Sequence, residues 1–95
     1  MADVRRNEET GRYEILVDDR VVGFTEFRAR EDGVLVFPHT VIDEDQRGQG
    51  LGGQLIGAAL DDVRARDERI VPECAAVRGF VDDHPEYADL VADAG

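Results

Sequence analysis

The 95 residues include no lysine, no tryptophan, one cysteine and one methionine. With Cys74 alone, no intramolecular disulfide can form, and a reducing cytoplasm is the expected setting. No stretch approaches the roughly 18 apolar residues of a membrane span. The opening Ala2-Asp3-Val4-Arg5-Arg6 has no apolar run behind it, so a signal peptide is not expected. Only 6% of residues are aromatic, so the core must be built from Val, Leu, Ile, Ala and four Phe. So small a core is compatible with a monomer or with a homodimer that extends it. Basic residues are also scarce: eleven Arg face 22 acidic residues, for a net charge of -11. That balance argues against an electrostatic hold on nucleic acid or on an anionic membrane. Acid excess without lysine fits either a salt-rich cytoplasm or a base-composition bias in the coding DNA.

What is present falls into two halves, strands and then helices, with no internal repeat. Val4 to Asn7 reads as a first strand, closed by the turn Glu8-Glu9-Thr10-Gly11. Arg12 to Val17 follows, with Tyr13, Ile15 and Val17 alternating at the strand period. Asp18-Asp19 turns into Val21 to Arg30, and Glu31-Asp32-Gly33 turns again into Val34 to Ile42. Such short turns join only antiparallel neighbours, because a parallel crossover needs a dozen residues or more. Pro38 lies inside the most apolar of these runs. Lacking an amide proton, it predicts a strand paired at its start and distorted there, with backbone groups beyond it free for another partner. Gly50 to about Arg66 has helical periodicity, with Gly52, Ile56, Ala59, Leu60 and Val63 on one stripe. Ile70-Val71 reads as a short strand parallel to the Pro38 run through a right-handed crossover. Ala75 to Asp82 reads as a helical turn, and His84-Pro85-Glu86-Tyr87 opens a last short helix through Val91.

The segment between the Pro38 run and the long helix carries the chemistry. It reads Gln46-Arg47-Gly48-Gln49-Gly50-Leu51-Gly52-Gly53. A helix start offers four backbone amides without intrahelical partners and a positive partial charge. Glycines let a diphosphate approach that backbone, and Arg47 adds a cation. The bland alternative is a flexible turn with good helix-starting geometry. No Gly-Lys-Ser/Thr follows, so a nucleoside triphosphate loop is excluded. Gly48, Gly50 and Gly53 satisfy the dinucleotide pattern G-x-G-x-x-G, but a dinucleotide fold needs several parallel strand–helix–strand units, and an antiparallel meander precedes this loop.

Arg47-x-x-Gly50-x-Gly52 resembles the Q/R-x-x-G-x-G/A signature of the GCN5-related N-acetyltransferases. Pro38-His39-Thr40-Val41, Val71-Pro72-Glu73-Cys74 and His84-Pro85-Glu86-Tyr87 with Leu90-Val91 resemble the very small, YjdJ-type members of that superfamily. The resemblance runs over roughly residues 4 to 92 and implies one minimal domain over residues 1–95. Its fold is of mixed α+β and α/β character: an antiparallel meander, then a helix, a parallel strand and short C-terminal helices. It implies acetyl-coenzyme A as acyl donor and an amine as acceptor, with no metal. Pantetheine would pair with the backbone of Thr40, Val41 and Ile42, and pyrophosphate would meet the amides of Gln46, Arg47, Gly48, Gln49, Gly50, Leu51 and Gly52. Cys74 takes the position near the thioester, as acid or transient nucleophile; by its residue type it reads equally as a small buried apolar group. His39 is the second catalytic candidate, with a structural role beside Pro38 as its alternative. Two departures stand out. Ala76 replaces the aromatic common two residues after the cysteine, and the turn Glu8–Gly11 replaces the helices that help to form the acceptor site in longer members.

Overall fold

The computed structural model describes residues 2–92; Met1 and residues 93–95, within the expected domain span, lie outside the described residues. Seven strands and two α-helices run in the order β1 (Ala2–Asn7), β2 (Arg12–Val17), β3 (Arg20–Glu26), β4 (Arg28–Ala29), β5 (Val34–Phe37), β6 (Thr40–Ile42), α1 (Leu51–Ala65), β7 (Arg69–Pro72) and α2 (Ala75–Asp83). Two 3-10 helices, Glu44–Gln46 and Pro85–Leu90, complete the chain.

The meander is antiparallel, as the short turns require. Asp18 and Asp19 both adopt left-handed φ, 51° and 65°, the backbone of a two-residue hairpin whose twist matches its flanking strands. A bulge between Ile15 and Leu16 resets the β2–β3 register. The expected single strand from Val21 to Arg30 is divided. Phe27 N–H still donates to the Gly11 carbonyl at 2.8 Å, in register with Arg12 and Glu26, and the chain then leaves one sheet for the other. The expected run from Val34 to Ile42 is likewise split at Pro38 into β5 and β6. One sheet has the order β1-β2-β3-β6 and the other β4-β5-β7, with β5 and β7 parallel across the α1 crossover. The Ala75 segment is a full nine-residue helix, longer than a turn. The last helix is 3-10 over Pro85–Leu90, and Val91 beyond it bridges Ile70.

Helix α1 lies on the sheets because one face is apolar: Leu51, Leu55, Ile56, Ala59, Leu60 and Val63 are buried. They pack against Tyr13, Ile15, Leu35, Phe37 and Ile70 in one core. Val77 and Phe80 of α2 join it, and Gly57 of α1 is the close-approach point, where an added Cβ would stand 3.3 Å from the Phe80 ring. A polar clasp ties the other end of α1 to the strands. The Tyr13 hydroxyl donates to Asp62 at 2.7 Å, and Arg6 donates to Glu68 at 2.8 Å. Burial raises the Tyr13 phenol well above its ordinary value, and the bond to Asp62 adds to the rise. Among the described residues no helix is long and apolar enough to cross a membrane.

The opposite face of the meander carries Glu14, only 1% exposed, clamped by Arg5 at 2.8 Å and Arg12 at 2.7 Å. Burial alone would push this carboxyl up; the bonds from Arg5, Arg12 and Asn7 outweigh it and hold it below the ordinary 4.5. A carboxyl held low in the folded chain contributes stability that is complete above its ordinary value. That contribution is lost as pH falls through the folded value. The protein is expected to lose stability as pH falls below about 4.5. Glu14→Gln should flatten that fall, read as the pH dependence of the urea midpoint. Parallel pH profiles for the two proteins would contradict the assignment.

Candidate functional site

The split at Pro38 builds the site. Its N-terminal half, β5, pairs with β7, and the last bond of that side is Cys74 N–H to the Phe37 carbonyl at 3.0 Å. Its C-terminal half, β6, pairs instead with β3. Strands β6 and β7 therefore part, and a V-shaped gap opens between them. Register decides what lines the β6 side. Glu26 N–H donates to the His39 carbonyl at 2.9 Å and Asp43 N–H to the Val22 carbonyl at 2.8 Å. In an antiparallel ladder hydrogen-bonded pairs alternate with non-bonded ones, so Phe24–Val41 is the bonded pair between those two. The backbone of Val41 is turned towards β3. The amide and carbonyl groups of Thr40 and Ile42 point off the other edge, into the gap.

The glycine loop closes the wide end. After the Glu44–Gln46 turn, Arg47 is extended, Gly48 and Gly50 take φ of 84° and 75°, and α1 begins at Leu51. Among the described residues the amides of Gly48, Gln49, Gly50, Leu51, Gly52 and Gly53 have no protein acceptor. The first turn of α1 holds no carboxylate to compete for them. Gln46 is partly covered, whereas Arg47 is exposed and pairs with no carboxylate among the described residues, in a chain where most other arginines on the strands and α1 are paired. The loop and the gap are neighbours: a Cβ on Gly52 would stand 4.0 Å from Ile42 Cγ1.

Cys74 sits at the narrow end, as N-cap of α2. Its Sγ accepts from Val77 N–H at 3.4 Å and lies 3.3 Å from Thr40 Oγ1, which lies 2.8 Å from Thr25 Oγ1. His39 is not brought to this point. Consecutive strand residues face opposite ways, and His39 lies against Phe24 at 6.0 Å and Glu26 at 3.5 Å on the outer face, away from the α1 side where Thr40 meets Cys74. His84 stacks on Phe80 at 4.2 Å beside the last helix. Among the described residues no three His, Cys, Asp or Glu side chains form a metal-ligand group. Thr25 was not marked by the sequence: a lone threonine in an apolar strand signals nothing until the register sets it beside Thr40.

The family model for GCN5-related N-acetyl-transferases matches residues 12–90. The chain belongs to that family. No curated protein matches the sequence significantly. Among solved structures, a GCN5-like protein of Staphylococcus aureus assigned as an N-acetyltransferase superposes with TM-score 0.71 at 17% identity, over 98% of this chain and 90% of the other. A Bacillus anthracis protein assigned as a streptothricin acetyltransferase, solved with acetyl coenzyme A, gives 0.51 at 20% identity, over 62% of this chain and 35% of that one. The ribosomal-protein-alanine N-acetyltransferase of Brucella melitensis gives 0.54 at 24% identity, over 87% and 64%. At these identities the likeness is one of fold. The family's antiparallel meander, helix, parallel strand and C-terminal helices are all here, in a chain that spans about a third and two thirds of the last two relatives.

In this small acetyltransferase-family fold a separate open cleft lies elsewhere. A cleft of about 490 Å³ between β1 and α1 is lined by Val4, Arg6, Tyr13, Asp62 and Arg66 among others. Most of its polar groups already bond one another through the clasp described above; Arg6 Nε, 3.1 Å from a Glu8 carboxylate oxygen, is buried without a hydrogen bond. The gap is an open groove with unspent backbone bonds, which suits a long flexible chain lying along it.

Proposed function

We propose that this chain is a single minimal acetyltransferase domain that moves the acetyl group of acetyl-coenzyme A to an amine. The observation that carries this reading is the continuity of gap and loop. Two residues of unpaired strand edge at Thr40 and Ile42 run into six unpaired amides and the free Arg47 at a helix start. An amide-bearing pantetheine arm fits the first and a pyrophosphate the second. The acetyl end then lies towards Cys74. The amine nitrogen attacks the thioester carbonyl, the C–N bond forms, and the C–S bond breaks. The nitrogen loses a proton and the departing coenzyme A thiolate gains one. Thr40 N–H is the gap-facing strand amide on the Cys74 side and the donor for the carbonyl oxygen, and Cys74 S–H is the acid for the thiolate. A lone half-buried thiol in this role suits the reducing cytoplasm.

A second reading has a specific observation behind it. The Glu8–Gly11 turn leaves the outer face of the meander without covering helices, so the acceptor side is open. A coenzyme A-binding module without transfer would look the same. Incubation with acetyl-coenzyme A and a panel of polyamines, peptides and small amines separates the two, read as free thiol released. Binding without thiol release for any amine favours the module. Absence of coenzyme A binding by calorimetry removes both. For the enzyme, Cys74→Ala is expected to lower kcat by about tenfold with KM for acetyl-coenzyme A unchanged. That loss is at the low end for an acid catalyst because a thiol, with pKa near 8.5, leaves readily without much help. Unchanged kcat would remove Cys74 from the mechanism.

A further inference from the structure

We infer that Thr25 and Thr40 form a directed hydroxyl relay that turns the Cys74 thiol hydrogen into the gap. The proposal rests on the reading of Cys74 as the acid of the transfer and adds two positioning residues to it. Three heavy atoms stand in a line of contacts: Thr25 Oγ1 to Thr40 Oγ1 at 2.8 Å, and Thr40 Oγ1 to Cys74 Sγ at 3.3 Å. Neither contact by itself says which atom donates. Burial does. Thr25 is 0% exposed and its hydroxyl has no other partner among the described residues.

Were Thr25 to accept from Thr40, its own proton would be buried without an acceptor, at a cost of about 1–3 kcal/mol. Thr25 therefore donates to Thr40. The Thr40 proton is then left with a single protein acceptor among the described residues, Cys74 Sγ, although Thr40 is itself only partly buried. Only this direction gives both hydroxyl protons a protein acceptor. Sulfur receives a second donor, Val77 N–H at 3.4 Å, from the first turn of α2. With Sγ accepting on these sides, S–H has no inward partner and points to the open gap, where the thioester sulfur would lie. Chains of hydroxyls bonded in one sense polarise one another, so the effect of Thr25 reaches sulfur although Thr25 never faces the gap. The row is set by strand register: Thr25 opposite Thr40 in β3 and β6, with Cys74 across the gap.

The test uses the infrared S–H stretch of the full chain, which has one thiol and so one band. Acetyl-coenzyme A carries no free thiol and adds none. In the free protein Thr40→Val should leave the band in place, because the thiol donates nothing to Thr40. Thr25→Val should also leave it in place, because the Thr40 proton keeps Cys74 Sγ as its protein acceptor. Adding acetyl-coenzyme A to the wild-type chain should lower the band as S–H meets the ligand. A wild-type band that already lies low and rises in Thr40→Val would show the thiol donating inward and overturn the relay. In turnover, Thr40→Val and Thr25→Val should each lower kcat about threefold with KM unchanged, the scale of one hydrogen bond, and Thr40→Ser should restore it. A wild-type kcat in Thr25→Val would also overturn the relay. Should no amine be acetylated, the acetyltransferase reading fails, while the bands of the free protein still decide the direction of the relay.

Discussion

Replacing both Gly48 and Gly50 by valine is expected to weaken acetyl-coenzyme A binding by about 100-fold. Neither glycine is crowded: a Cβ built on either meets nothing within 4 Å. The effect comes from the backbone. At φ of 84° and 75° both residues lie in the left-handed region, where an L-residue costs about 1–2 kcal/mol and a β-branched one more. Two such positions amount to about 2–4 kcal/mol, a factor of roughly 30 to 1,000 if all of it falls on the bound geometry. Some is spent in relaxing the free loop, which removes the alignment of the amides from Gly48 to Gly53. Gly53 supplies the control. It too has open space around it, but no left-handed φ, so Gly53→Ala should keep its affinity within about threefold and slightly favour the helix. Isothermal calorimetry with coenzyme A reads all three chains. Equal affinity in the double variant would mean that the loop does not hold the ligand.

The second large effect is expected at Gly23, in the middle of β3. An added Cβ would lie 2.5 Å from Ile42 Cδ1, 2.8 Å from the Val41 carbonyl oxygen and 3.3 Å from Ile15 Cγ2. The Ile42 methyl can rotate away; the carbonyl oxygen belongs to the neighbouring strand and cannot move without breaking the β3–β6 ladder. Overpacking a core costs about 1–3 kcal/mol, and a backbone collision adds to it. Small domains have total stabilities of only about 5–15 kcal/mol. At roughly 4–8 °C per kcal/mol for this size, Gly23→Ala should lower Tm by about 10–20 °C. Gly23→Val should leave little folded protein at 37 °C. Adding Ile42→Val should recover part of the Gly23→Ala loss, but not all, since the Val41 oxygen remains. A Gly23→Ala Tm within about 3 °C of wild type would refute the packing described here.

Much of the fold can be read from local pattern. The two-residue Asp18-Asp19 turn, the apolar stripe of α1 and the parallel return at Ile70 all follow from periodicity and connection length. Pro38 betrays the gap because its missing amide proton is a chemical fact of one residue. The glycines before α1 mark the proposed anion site for the same kind of reason. What escapes the sequence depends on register. Phe27 N–H still adds a rung to Gly11 in the β2–β3 register, and nothing local marks the crossing to the other sheet that follows at Arg28. Of Thr40, Val41 and Ile42, the residues whose backbone faces the gap are set by the pairing of Phe24 with Val41. That pairing is counted along β3, which itself sits one residue out of step with the first half of β2 through the bulge at Ile15. The same count puts His39 on the outer face and Thr25 beside Thr40. Residue type alone marks His39 as a candidate and passes over Thr25; the register sets Thr25, and not His39, in the row that leads to Cys74.

The open side of β6 also bears on how the protein behaves with no ligand. A strand edge with unused amides and carbonyls is a template for another chain, and most proteins keep such edges at their margins. Here one lies inside the molecule, along the proposed acyl-donor groove. The edge is only three residues long, Pro38 lies two residues before it, and Asp43, Glu44 and Asp45 follow directly. Brevity, a missing donor and a block of like charge each discourage a foreign strand from adding there, in a chain of net charge -11. The acidic run, outside the amides proposed to hold a diphosphate, thus sets like charge directly beside the open edge of the proposed acyl-donor groove.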